Sequence, residues 1–178
     1  MTDSTTTSAT DRVIDRVTIR PCRRDEWDRL AENEYAMWRD IGAAPNQIRP
    51  DWRAQTLRFL EESARSSLGR AFVAVVEGRV VGSACGQVFS GLSPDFLEPH
   101  YRRKGYIWGV YVASDHRGRG IGRALTQAMV EHLRSVGCTQ VHLHASPAGR
   151  SVYESVGFVP STEMRLVLTP EREAAHGD

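Results

Sequence analysis

Residues 115–125 read "DHRGRGIGRAL", with Gly118, Gly120 and Gly122 alternating with Arg117, Arg119, Ile121 and Arg123. An apolar run, "YIWGVYV" (106–112), precedes the stretch. Leu125, Ala128, Met129, His132, Leu133 and Val136 follow it at helical spacing, up to Gly137. Strand, glycine turn, helix is the order that builds an anion site. Without side chains, backbone N–H groups can approach phosphate oxygens, and the unpaired first-turn N–H groups and helix dipole favour negative charge. The same residues also suit an ordinary turn with solvated arginines, or a short Arg/Gly patch for nucleic acid. Two common phosphate loops are excluded: no Lys-Ser/Thr follows the glycines, and with Ala124 and Leu125 next the spacing does not give G-x-G-x-x-G.

The whole chain narrows these choices. Its 178 residues suit one domain. With 40% hydrophobic and 25% charged residues and a formal net charge of +1, it has a soluble globular composition and no general attraction for nucleic acid or an anionic membrane. Any anion site must be local. Cys22, Cys85 and Cys138 are odd in number, widely spaced and set in apolar surroundings, as expected of reduced structural thiols in a cytoplasmic protein; no metal is expected. No apolar run approaches the roughly 20 residues needed to cross a bilayer. The polar residues 1–16 are expected to be a disordered tail, and residues 170–178 a polar one.

Outward from the glycine stretch, helices alternate with strands. "VTIRPC" (17–22) reads as a strand. Trp27, Leu30, Ala31, Glu34, Tyr35 and Trp38 form one helix face between Arg24 and Asp40, and Asp51 is placed to cap a second helix. "AFVAVVE" and "VVGSACGQVFS" form a hairpin about Gly78-Arg79. The loop from Gly91 to Lys104 is long enough for a lid or lip. In "YIWGVYV", Gly109 marks a bulge or a close backbone approach. "TQVHLHA" is a strand, Ser146 or Pro147 begins a helix ending at Gly157, and "FVP" and "EMRLVLT" complete the sheet. The result is an α/β (α+β) fold with a mixed central sheet of about six to seven strands flanked by about four helices, on both faces.

Arg117-x-x-Gly120-x-Gly122 fits the Q/R-x-x-G-x-G/A signature of the GNAT N-acetyltransferase superfamily. Ser146, Tyr153, Gly157 and Phe158 resemble that family's late segment, in which a small polar residue precedes a helix carrying a Tyr and ending in Gly-Phe. The resemblance spans residues 17–168 in element order and is specific from Trp108 to Phe158, so residues 17–169 are expected to form one GNAT domain. It implies a transferase that passes an acetyl group from acetyl-coenzyme A to a primary amine of a small molecule or peptide. The alternative is a non-catalytic acyl-coenzyme A sensor. A homodimer is left open.

Carried over by position, the resemblance implies that backbone N–H groups of Arg117, Gly118, Arg119, Gly120, Ile121, Gly122 and Arg123 hold the cofactor pyrophosphate. Val110, Tyr111 and Val112 would pair with the pantetheine arm, with Ser146 also at the cofactor. The strand "YIWGVYV" and "TQVHLHA" would splay to admit it. Tyr153 matches the acid that assists the departing thiolate, although a core tyrosine is its other reading. Some family members carry a basic Glu on the strand before the loop; "YIWGVYV" contains no acid. His144, near the end of its strand and with an ordinary pKa of about 6.5, is the expected base, with His142 and Glu34 as further candidates. Glu34, Trp38 and Trp108 are expected at the acceptor site, as the family's first helices commonly line it; helix-surface and core roles are their other readings.

Overall fold

A computed structural model describes residues 12–14, 17–65, 69–89, 96–164 and 166. Among these residues six strands form one sheet in chain order: β1 (Arg12–Ile14), β2 (Val17–Pro21), β3 (Gly69–Val76), β4 (Arg79–Phe89), β5 (Lys104–Val112) and β6 (Gln140–His142). Neighbours run antiparallel except β5 and β6, which are parallel. Five α-helical segments among the described residues accompany them: α1 (Trp27–Asp40), α2 (Trp52–Arg65), the short α3 (Pro99–Arg102), α4 (Ile121–Ser135) and α5 (Arg150–Glu154).

Period-two alternation divides the sheet between two cores. Phe72, Ala74, Ala84 and Ile107 point one way and pack with Ile121, Leu125, Met129 and Leu133 of α4. Val73, Cys85 and Trp108 point the other way, to Leu30 of α1 and to Leu57 and Leu60 of α2. α1 is pinned by a polar bond inside its interface: Asn33 Nδ2 donates to Ser83 Oγ at 3.0 Å, with both residues buried. Truncating either partner strands the other, at about 1–3 kcal/mol.

Two interruptions in β5 position the site. Opposite β4, Cys85 pairs with Trp108 and Ser83 with Tyr111, so Gly109 and Val110 stand against the single Ala84. This is a β-bulge, with Gly109 at φ +61. On its other side β5 pairs with β6 only from Lys104–Gln140 to Tyr106–His142. From Ile107 to Val112 that edge has no strand partner among the described residues.

Several boundaries differ from those read in the sequence. The sheet starts at Arg12, upstream of the expected Val17, because Arg12–Ile14 pair with Val17–Ile19. The hairpin turn falls at Glu77-Gly78, both with positive φ, and Arg79 already belongs to β4. The Asp51 carboxylate accepts from the side chains of Arg49 and Gln55. The expected loop 91–104 contains α3 and ends before Lys104; residues 90–95 lie outside the described residues. "TQVHLHA" keeps strand form only at Gln140–His142, since pairing ends where the strands diverge. Phe158, Val159 and Pro160 do not join the sheet: Phe158 instead packs edge-on against Tyr153, with ring centroids 6.1 Å apart. Of the expected strand 163–169, Glu163, Met164 and Leu166 are not in a strand, and the rest lies outside the described residues, as do 1–11 and 170–178. Among the described residues no helix is long and apolar enough to cross a membrane.

Candidate active site

The glycine stretch lies between β5 and α4 as a turn held from both ends. Ile121 buries its side chain in the α4 core, 1% exposed, which fixes where the helix begins. Gly118 and Gly120 take φ of +76 and +75, and a Cβ on either would point into open space. The demand at these positions is therefore conformational rather than steric. The first backbone bond of α4 runs from Ala124 N–H to Gly120 O at 3.0 Å. The N–H groups of Ile121, Gly122 and Arg123 come before it and receive nothing from the helix. A cradle of backbone donors results, with the positive end of α4 behind it.

Arg117 does more than continue the loop. Its Nε donates to Val112 O at 2.9 Å, Nη2 pairs with Asp40 at the end of α1, and the guanidinium lies 5.8 Å from the Tyr111 ring centroid. Its side chain thus joins the loop to the ends of β5 and α1. Arg119 and Arg123 are exposed beside the cradle, and His116 is bonded to Asp115.

On the far side of the gap between β5 and β6, Ser146 opens the turn into α5. Its hydroxyl accepts from Gly149 N–H at 3.2 Å and its carbonyl from Arg150 N–H at 3.1 Å. Gly149 lies against Tyr153: a Cβ there would be 3.0 Å from Tyr153 Cε2. α5 also reaches the glycine loop, for a Cβ on Gly122 would lie in ordinary contact with Val152 and Val112. Tyr153 is half-buried, its hydroxyl has no hydrogen-bond partner among the described residues, and burial pushes its pKa up. It is therefore a neutral O–H at ordinary pH, able to donate a proton. A cleft of about 760 Å³ runs beside β6, lined by Tyr153, His142, Leu143, Arg150 and the chain from Val156 to Glu163. The cleft is distinct from the glycine cradle, whose residues do not line it.

The opposite face of β5 belongs to α1. Glu34 reaches the bulge, where a Cβ on Gly109 would lie 2.6 Å from Glu34 Oε2. Trp38 Nε1 donates to Glu34 Oε1 at 3.0 Å. Burial raises the carboxyl pKa, and the Trp38 bond opposes that rise only in part. Trp38 is 49% exposed, Trp108 packs edge-on with Phe59, and Tyr35 stacks on Trp52. The buried indole N–H of Trp108 has no partner among the described residues.

Of the two strand histidines, His142 is half-buried, and its Nε2 has no partner among the described residues. His144 lies past the end of β6. Its Nδ1 is shared with the Tyr106 hydroxyl, its Nε2 is 4.0 Å from Glu163, and its side chain is 76% exposed. The structure thus brings Glu34, Trp38 and Trp108 to the bulge, and Arg117 to Val112 and Asp40. It joins His144 to Tyr106, on the part of β5 before the bulge. The Glu34–Gly109 and Arg117–Asp40 relations were not visible in the sequence. One signal for the first was present: a carboxylate at position 34, between Leu30 and Trp38, lies on the buried stripe of α1.

Known proteins bear on this arrangement. The model of the acetyltransferase (GNAT) family matches residues 25–158. The chain is 38% identical over 92 residues to glucosamine 6-phosphate N-acetyltransferase of Trypanosoma brucei brucei, a match covering 51% of this chain and 59% of that protein. It is 47% identical over 57 residues to mycothiol acetyltransferase of Thermobispora bispora, covering 30% of this chain and 19% of the relative. The chain thus spans less than two thirds of these curated relatives. Among solved structures, a GCN5-related N-acetyltransferase from Ralstonia eutropha JMP134 superposes with a TM-score of 0.74 at 24% identity, covering 85% of this chain and 98% of the other. A predicted acetyltransferase from Clostridium acetobutylicum, solved with acetyl-CoA, gives 0.74 at 21% identity, covering 85% and 95%. The bulged and splayed β5, the backbone cradle and the matched span agree: the chain belongs to the GNAT acetyltransferase family.

Proposed function

We propose that this chain transfers an acetyl group from acetyl-coenzyme A to a primary amine of a small molecule. The observation that carries the reading is the continuity of an unpaired β5 edge with a loop of free backbone donors. That surface suits a molecule which is an amide-bearing arm at one end and a pyrophosphate at the other. When bound, acetyl-coenzyme A supplies an acyl group activated as a thioester. Gly118 to Arg123 hold the pyrophosphate through backbone N–H groups. Val110, Tyr111 and Val112 align the arm and offer an N–H toward the thioester carbonyl. Ser146 fixes the turn that carries Tyr153, and Tyr153 gives a proton to the departing sulfur, whose thiol has an ordinary pKa of about 8.5. Glu34, Trp38 and Trp108 line the acceptor side.

A small-molecule acceptor is supported by the relatives' names, among them L-2,4-diaminobutyric acid acetyltransferase of Nocardia farcinica and a serotonin N-acetyltransferase of Oryza sativa. Unpaired Cys22, Cys85 and Cys138 are in keeping with a cytoplasmic setting. The test is thiol release from acetyl-coenzyme A in the presence of glucosamine 6-phosphate, serotonin or L-2,4-diaminobutyrate. Amine-dependent release is expected with at least one. Tight coenzyme A binding without release from any amine would instead favour the sensor.

A further inference from the structure

An amine reaches the site as an ammonium, which has no lone pair with which to attack, and β5 carries no acidic side chain to deprotonate it. The gap at Gly109 is filled from another element. Glu34 lies on the sheet-facing stripe of α1, next to Asn33, whose bond to Ser83 sets the helix against β4. One carboxylate oxygen is held by Trp38, while the other occupies the space a side chain at residue 109 would need. A glycine at φ +61 thus forms a seat on the strand, and a carboxylate from the helix takes it. The N–H of Trp108, one residue away and without a partner among the described residues, adds a donor beside that seat.

We infer that Glu34 is the catalytic base, receiving the acceptor's ammonium at the Gly109 bulge and taking its proton. The inference rests on the acetyl-transfer reading above. One proton passes from the ammonium to Glu34, freeing the nitrogen lone pair. The nitrogen bonds to the acyl carbon as the carbon–sulfur bond breaks, and the electron pair of that bond stays on sulfur. Tyr153 protonates the sulfur and is restored by the second proton lost from the nitrogen. Glu34 then returns its proton to solvent, so the turnover releases one proton overall.

The surroundings of Glu34 favour this use. Cys85 of β4 faces it with a thiol kept protonated, first by burial and then by the Glu34 charge. From β5 it meets Gly109, which has no side chain; on α1 itself it meets the uncharged Trp38. Burial therefore dominates and raises the carboxyl pKa, which makes it a stronger base than an exposed glutamate.

Glu34→Gln is the decisive variant, read in three ways. With the fastest amine of the panel above, kcat/KM at neutral pH is expected to fall on the order of 100-fold. The acid limb of the wild-type pH–rate profile, lying above the ordinary 4.5 of a glutamate, is expected to vanish. Independently of activity, intrinsic tryptophan emission in wild-type protein should titrate over that same range through the Trp38–Glu34 bond, and the variant should lose this step. Glu34→Asp should retain an acid limb at reduced rate. Trp38→Phe removes a bond that lowers the carboxyl pKa, so it should move the limb to higher pH. A Glu34→Gln protein that is active within about threefold, or keeps the acid limb, overturns the role of Glu34 and leaves acetyl transfer standing. Wild-type protein that releases thiol with no amine overturns both.

Discussion

The two faces of β5 make opposite use of the chain. Toward α4, the surface is built from backbone: a strand edge without a partner among the described residues, two left-handed glycines and the first N–H groups of a helix. Toward α1 it is built from side chains meeting across elements, Glu34 over Gly109 and Trp38 over Glu34. Backbone recognition makes demands on consecutive residues, so it writes a local pattern such as Arg117-x-x-Gly120-x-Gly122. Side-chain recognition demands only that distant positions fit one another, and it leaves two letters 75 residues apart, 109 less 34, whose relation no local pattern records.

Substitutions on each face can break this contrast. The largest effect is expected from Gly109→Ala, whose Cβ would fall 2.6 Å from the Glu34 oxygen. Steady-state kinetics should show kcat/KM down by roughly 100-fold, while calorimetry finds coenzyme A affinity unchanged. An equal loss of cofactor affinity would mean that the two faces are not separate. Tyr153→Phe comes next. Loss of the proton donor should lower kcat by about 10- to 100-fold, with little change in cofactor Kd. Gly120→Ala should act on the other quantity, weakening coenzyme A binding by about tenfold. Forcing a Cβ into a left-handed position should also cost about 1–2 kcal/mol of stability, measurable by chemical denaturation.

The smallest effect on turnover is expected from Arg20→Met, a control outside both faces. Arg20 bonds Glu26 at 2.6 and 2.8 Å and holds its carboxyl down to about 2. A folded pKa below the unfolded one stabilises the fold above the ordinary 4.5, and the contribution is lost as pH falls toward 2. Arg20→Met should remove about 1–2 kcal/mol at neutral pH and flatten the acid dependence of the melting temperature over that window, with kinetics intact.

What could be read from the letters follows the same division. Most of the strands, the helices on both faces and the glycine turn ahead of α4 were legible because hydrophobic period and glycine spacing are local signals. The bulge was half legible: an interior glycine announced an irregularity in "YIWGVYV", but not which residue would fill it. Strand ends at Ile14, His142 and Phe158 were misjudged because pairing partners, rather than propensity, decide where a strand stops. His144 satisfied the alternation rule, which set it near the end of its strand. Its actual partner, Tyr106, depends on how far β6 follows β5, which is a tertiary fact.

The pair of Arg117 and Asp40 connects the glycine loop to the helix that carries Glu34, yet both side chains are about half exposed, at 50% and 46%. An ion pair so exposed contributes about 0.2–1 kcal/mol, which limits cross-talk through it to roughly fivefold. Little strain can therefore travel along this tie between the glycine loop and the end of α1. Exchanging Asp40 should consequently leave the glycine loop as it stands, whereas Asn33 and Glu34, bound into the sheet side of the same helix, have no such freedom.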